Sequence, residues 1–360
     1  MKSTCLLFAL APIIHGSTAF SSSSIHISKQ HRKHPNAFKK ANHVNIISNI
    51  FHIRGGDTSI TYPSSTMMSS MITPVTEALN QALVSGTSLR AIGALYAVAS
   101  LTVVPLTYIR QAYSFSVGYG LSVATMAVAL LLSFAFSGGN NISFSQINSI
   151  PSILALNALV YGLRLSGFLL TREYTVESKK KQFRDLDKTP RFKRTPLALG
   201  VSLLYSFMTS PLLFALRGVG GVVPGSNAEK VQLVFTGISI FGMLLEAVAD
   251  QHKYLIKKQG GKEGEDKFVG PTTWSYKLCR HPNYFGEILF WLGLFGAGSV
   301  SFGKSVVAWV CGSLGLWGIL SIMLGASYRL DKKQNEKYVG QVAFEEWKKE
   351  VNSSVIPLIK

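Results

Sequence analysis

The stretch Leu278–Gly296, "LCRHPNYFGEILFWLGLFG", places Arg280, His281, Asn283, Tyr284 and Glu287 directly before an apolar run. Pro282 suits the first turn of a helix, where its missing N–H would be unpaired anyway. Asn283 and Glu287 then stand at i and i+4 on one face, with Tyr284 beside them. At about 1.5 Å rise per residue, Glu287 lies roughly one and a half turns inside the apolar segment. A helix start also offers backbone donors and a partial positive charge, which favour an anionic group.

The surrounding chain is that of a membrane protein. It has 360 residues, 47% hydrophobic and only 15% charged, against about 25% charged in soluble domains. Crossing a bilayer takes about 20 apolar residues as a helix. Seven candidate spans reach that length, near 89–109, 117–136, 151–170, 196–216, 230–249, 284–303 and 305–326. Arg164, Pro196 and Pro211 weaken the third and fourth, so six spans remain possible. The expected fold is an all-α polytopic membrane bundle over 89–360, with about seven transmembrane helices and the C-terminal tail on the basic face.

Sidedness follows from the loops. The segment "TREYTVESKKKQFRDLDKTPRFKRT" carries nine Lys/Arg against four acids. The loop from Asp250 to Asn283 and the tail after Tyr328 are also net basic, whereas the alternate loops "SGGNNISFSQINS" and "RGVGGVVPGSNAE" are nearly neutral. Positive charge marks one side of the membrane, and every chemically interesting loop falls on it.

Residues 1–19 read as a signal peptide: Lys2, the apolar run "CLLFALAPII", then small residues. Residues 20–56 are Ser-bearing, basic and free of acids before Asp57, the composition of an organelle transit peptide. The two-part leader resembles those of algae with secondary plastids, with the endoplasmic reticulum membrane as the alternative location. It removes seven Lys/Arg and no acid, so the net charge of +18 is in part an address and does not argue for nucleic acid. Residues 57–88 read as a linker with room for a short surface helix. Cys5, Cys279 and Cys311 form neither a disulfide framework nor a zinc pattern.

Ionisable groups within spans are costly and functional by default. Tyr161 and Arg164 share a face in "VYGLRLSGFLLTRE", with Arg172 two turns on. Glu246 and Asp250, at i and i+4, close the fifth span. Arg172 or Arg280 alone is compatible with snorkelling to headgroups, and Glu246 with Asp250 could be a solvated helix end. Glu287 needs a partner. The three clusters on one face point to a pocket for a polar, multiply charged ligand.

"RHPNYFGEILFW", with the upstream "EAVADQHK" and the terminal "VIPLI", resembles the membrane family related to steroid 5-alpha-reductases, in the branch called domain of unknown function 1295. The resemblance implies a helical bundle that holds NADPH near one membrane face. Its activity would be reduction of a conjugated carbon–carbon double bond in a sterol, isoprenoid or lipid-like substrate drawn from the bilayer. It assigns Asn283, Glu287 and Asp250 to the nucleotide and Lys257 to a phosphate. Tyr161 would polarise the substrate carbonyl. Arg164, Arg172, Glu246, Arg280, His281 and Tyr284 complete the expected cofactor site. Two alternatives stand beside it: an S-adenosylmethionine-dependent membrane methyltransferase, which shares the short Arg-His-Pro-x-Tyr-x-Gly signal, and a non-enzymatic protein that keeps a nucleotide pocket.

Overall fold

Each long apolar run becomes one helix, and Ser, Thr or Pro marks several of the starts. A computed structural model describes residues 65–136, 149–218, 222–260 and 267–357; the signal- and transit-peptide readings lie outside them. The helices are α1 (Ser65–Val84), α2 (Ser88–Ile109), α3 (Val117–Phe136), α4 (Ile150–Thr175), α5 (Glu177–Leu186), α6 (Thr195–Arg217), α7 (Asn227–Gly260), α8 (Pro282–Ser299), α9 (Val306–Tyr338) and α10 (Val342–Glu350). Short 3-10 turns occupy Gln111–Phe115, Arg191–Arg194 and Trp274–Lys277. No strand occurs among the described residues. Thr87, Ser149 and Ser305 cap α2, α4 and α9 by accepting backbone N–H groups of the first turn, the usual use of a hydroxyl at that position.

Among the described residues six helices are long and apolar enough to cross a membrane: α2, α3, α4, α6 (with the preceding 3-10 turn), α7 and α9. The two weakened candidates are among them, for visible reasons. Pro196 sits in the first turn of α6. Pro211 lies inside α6 and removes the N–H that the Phe207 carbonyl would accept, but Ser210 Oγ donates to that carbonyl at 2.8 Å. Such local satisfaction is what makes proline tolerable in a spanning helix.

α8 does not join that set, because its first two turns carry Asn283 and Glu287. It nevertheless runs the length of the bundle. At its far end Gln232 of α7 donates to the Ala297 carbonyl at 3.2 Å, and at its near end Gly286 lies against Glu246. Those contacts make α7 and α8 antiparallel. Ser88 and Ser305 hydroxyls meet at 3.4 Å, which puts the starts of α2 and α9 together at the neutral end. Among the described residues the chain therefore passes through the bundle seven times, and the sixth pass, α8, is enclosed: Phe290, Trp291, Leu294 and Ala297 are all buried.

The α7–α8 pair is the most intimate in the unit Pro74–Lys360. Gly242 of α7 lies on the α8 backbone at Gly286, Leu289 and Phe290, while Gly286 and Gly293 of α8 lie on the α7 backbone. Small residues at such a crossing let two backbones touch where lipid supplies no hydrophobic drive. Gly120 and Gly162 do the same between α3 and α4.

Helix α1 exceeds the short surface helix expected of the linker. Its 20 residues end on the bundle: Leu83 is fully buried, and Ser133 Oγ donates to Asn80 Oδ1 at 2.7 Å. Arg217 donates to the Leu83 and Ala82 carbonyls, both at 2.8 Å, and so satisfies carbonyls that a helix end leaves open. Pro74 within the helix and the Ser/Thr-rich run before it hid the pattern.

A Cβ at Gly286 would collide with backbone of α7, which cannot move aside as a side chain can. Gly286→Ala is expected to cost about 1–3 kcal/mol, the range for an overpacked core, and to lower the melting temperature in detergent. Gly93→Ala, where a Cβ meets nothing within 4 Å, is expected to leave it unchanged or raise it slightly. Equal effects at the two sites would contradict the close-contact account of α7–α8.

Candidate functional site

Arg164 projects from the middle of α4 toward α7. Its Nη2 lies 2.8 Å from Glu246 Oε1 and its Nη1 lies 3.2 Å from Asp250 Oδ2. The two carboxylates are one helical turn apart on α7, so a single guanidinium fork reaches both. Glu246 and Asp250 are 2% and 8% exposed, which rules out a solvated helix end. From the first turn of α8, Asn283 Nδ2 donates to Asp250 Oδ1 at 3.2 Å. Arg164 Nε, Glu246 Oε2 and Asn283 Oδ1 are buried with no hydrogen-bond partner among the described residues. Polar atoms left so in a buried network call for an explanation such as a ligand or water.

A second network adjoins the first. Tyr119 of α3 donates to Glu287 Oε1 at 2.8 Å and accepts from Trp291 Nε1 at 2.8 Å. Its oxygen also lies 3.2 Å from the Tyr161 hydroxyl. A phenol has one proton. With that proton given to Glu287, Tyr161 must be the donor to Tyr119. The order is Tyr161 to Tyr119 to Glu287. Tyr161 is fully buried and stacks on Phe290, ring centroids 3.8 Å apart at 11°. The Arg164 guanidinium stands 5.9 Å from the Tyr161 ring centroid, which ties the two networks together.

Between α4 and α7 a groove of about 280 Å³ opens beside Arg164, lined also by Phe168, Arg172, Ala247, Gln251 and Tyr254. Arg172 lies over the Phe168 ring at 5.8 Å. Lys257, one turn beyond Lys253 on α7, is exposed.

The remaining expected residues stand elsewhere. Arg280 grips Asp331 of α9 with Nε and Nη2, at 3.3 and 2.8 Å, and donates through Nη1 to the Val351 and Asn352 carbonyls. His281 Nε2 meets Asp331 Oδ1 at 2.7 Å, and Ser354 Oγ donates to Oδ2 at 2.6 Å. The backbone N–H groups of Arg280 and His281 bond to Ser353 and Ser354. This is a clamp on the C-terminal segment, so these two side chains hold the chain rather than face the Arg164 network. Burial pushes the His281 imidazole below its ordinary value, against the pull of Asp331. Tyr284 is half-buried, its ring 5.7 Å from that of His281. Burial pushes the adjacent Cys279 thiol up to about 11, which suits a packing residue.

Tyr119, Trp291, Asp331 and Glu173 were not singled out in the sequence. Trp291 had a signal, since it stands at i+4 from Glu287. Tyr119 had only the flanking glycines of "VGYGLS". Glu173 is buried and pairs with Arg110 at 2.6 Å; burial and that carboxylate push Tyr113 up to about 12.

The family described as "Protein of unknown function (DUF1295)" matches residues 116–351, and the chain belongs to it. Comparison with curated proteins and with solved structures returned no match.

Removing Arg164 would leave two buried carboxylates without their cation, a loss in the range of about 3–5 kcal/mol. Arg164→Leu is therefore expected to unfold early on heating, and adding Glu246→Gln with Asp250→Asn to recover much of the loss. No recovery in the triple variant would show that Arg164 acts through packing. Asp331→Asn is expected to release the C-terminal segment, read as faster proteolytic cleavage after Tyr338 in otherwise folded protein. Unchanged cleavage would refute the clamp.

Proposed function

We propose that this DUF1295 member is a membrane-embedded, NADPH-dependent reductase of a conjugated carbon–carbon double bond in a lipophilic substrate. The observation that carries the reading is the meeting of two buried networks. One is an Arg164–Glu246–Asp250–Asn283 cluster with unpartnered polar atoms; the other is a phenol chain that ends on Glu287. The residues fit such a cofactor. Arg164 Nε, Glu246 Oε2 and Asn283 Oδ1 are donors and acceptors awaiting partners, and Arg172 and Lys257 are cations near the basic face suited to phosphate.

When bound, NADPH would supply hydride to the β-carbon of the enone and leave as NADP+, and the resulting enolate would take a proton from water at its α-carbon. Tyr161 would donate a hydrogen bond to the substrate carbonyl oxygen, where negative charge develops, and a preorganised donor in a dry site is worth most at that moment. Its hydroxyl would turn from Tyr119 to do so. The Tyr161 ring itself is held by its stack on Phe290, so that only the hydroxyl proton needs to turn. The polar end of the site lies toward the basic side, and the substrate enters from the bilayer. Exposed Val160 and Leu163 on α4 and Leu244 and Val248 on α7 make the flanking surface compatible with lipid.

Thermal unfolding of detergent-purified protein with NADPH, NADH or S-adenosylmethionine tests the reading, since a ligand of the native state raises the melting temperature by mass action. NADPH is expected to raise it, and Glu287→Gln and Arg172→Gln to weaken the rise. Tyr161→Phe is expected to keep the rise and lower turnover of membrane enones by about 10²–10³-fold, the usual cost of a lost oxyanion donor. A rise with S-adenosylmethionine alone would replace reduction by methyl transfer. No response to any of the three would favour a non-enzymatic protein.

A further inference from the structure

Outside the site, one segment on the basic face is built with more care than a connecting loop needs. Residues 177–194 carry eight Lys/Arg and three acids. Two of those acids are spent internally. Asp187 accepts from the Gln111 backbone at 2.8 Å and lies 3.4 Å from Arg194, while Asp185 lies 3.0 Å from Lys188, whose 77% exposed side chain keeps ammonium protons for a phosphate. Arg194 is 5% exposed and donates to the carbonyls of Thr189, Asp187 and Thr107. It thereby locks the turn after α5 onto the end of α2.

That lock presents an unusual edge. The 3-10 turn points Arg194 inward and leaves Arg191, Phe192 and Lys193 outward, with Phe192 86% exposed. Phe192 touches Tyr108 edge-on at 6.4 Å, and the Tyr108 hydroxyl bonds to Thr195 Oγ1 at 2.8 Å. Tyr108 ends one spanning helix and Thr195 begins another. Phe192 is therefore held at the depth where the hydrocarbon ends. An apolar ring at that depth can bury itself at the boundary of headgroups and acyl chains, and basic side chains around it attract anionic headgroups.

We infer that residues 177–194 form an interfacial platform that binds anionic phospholipid headgroups of the basic-side leaflet, with Phe192 inserted and Lys188, Arg191 and Lys193 on the phosphates. The occupant is a lipid of the bilayer because the apolar anchor and the charges share one level with the ends of α2 and α6. An acidic protein partner would not need Phe192 at that level.

The test uses the full membrane chain in nanodiscs of phosphatidylcholine, with and without phosphatidylglycerol. Phosphatidylglycerol is expected to raise the melting temperature, and high salt to abolish the rise, because exposed charges are screened. Lys188→Gln/Arg191→Gln/Lys193→Gln is expected to lose at least two-thirds of the rise while melting like wild type in phosphatidylcholine alone. Phe192→Ser is expected to lose about half. Arg191→Gln alone serves if the triple variant folds poorly. A full rise in these variants would overturn the platform. So would reproduction of the rise by soluble glycerol phosphate in neutral discs, which would mark a free-phosphate site instead. The outcome is independent of NADPH binding.

Discussion

A guanidinium in the middle of a spanning helix cannot shed its charge, and Arg164 therefore constrains everything near it. Its fork must meet acids, and Glu246 and Asp250 meet it from α7. That contact fixes the depth and rotation of α4 against α7. The glycine crossing then passes the register on to α8, because Gly286 rests on the backbone at Glu246 while Asn283, one turn earlier, reaches Asp250. Buried charge sets position here, and close backbone packing transmits it.

The same register explains how one short motif serves two purposes. Arg280 and His281 precede the helix, so their side chains and backbone N–H groups turn to Asp331 and the C-terminal segment. Asn283 and Glu287 lie within the helix and face α7 and α3. The clamp closes the basic end of α8 and α9, and it anchors the stretch that carries Phe344, Trp347 and Val351 into a small core with Tyr276 and Ala249. The aromatic residues of the tail thus contribute packing under the polar site.

Several parts of the site were legible because helical spacing alone relates them. Tyr161 with Arg164, Glu246 with Asp250, and Asn283 with Glu287 are each within one turn, and each pair joins a common region. Their partners were not legible. Tyr119 lies 168 residues before Glu287 and 172 before Trp291, and no local pattern relates them. Arg280 and His281 were grouped with Asn283 by proximity in sequence, and Asp331, 51 residues from Arg280, separates them.

Hydropathy and loop charge suffice to determine a helical membrane protein with its polar residues on one face, because those properties depend on what each segment must bury and on where cations are tolerated. They also give about seven passes, six of them in helices apolar enough to span on hydropathy alone among the described residues. The enclosed pass of α8, the order of hydrogen bonds from Tyr161 through Tyr119 to Glu287, and the division between site and clamp depend on which helices touch. Only the tertiary structure decides that, since side chains far apart in the chain acquire their partners through backbone approach, and glycines at the crossings allow it.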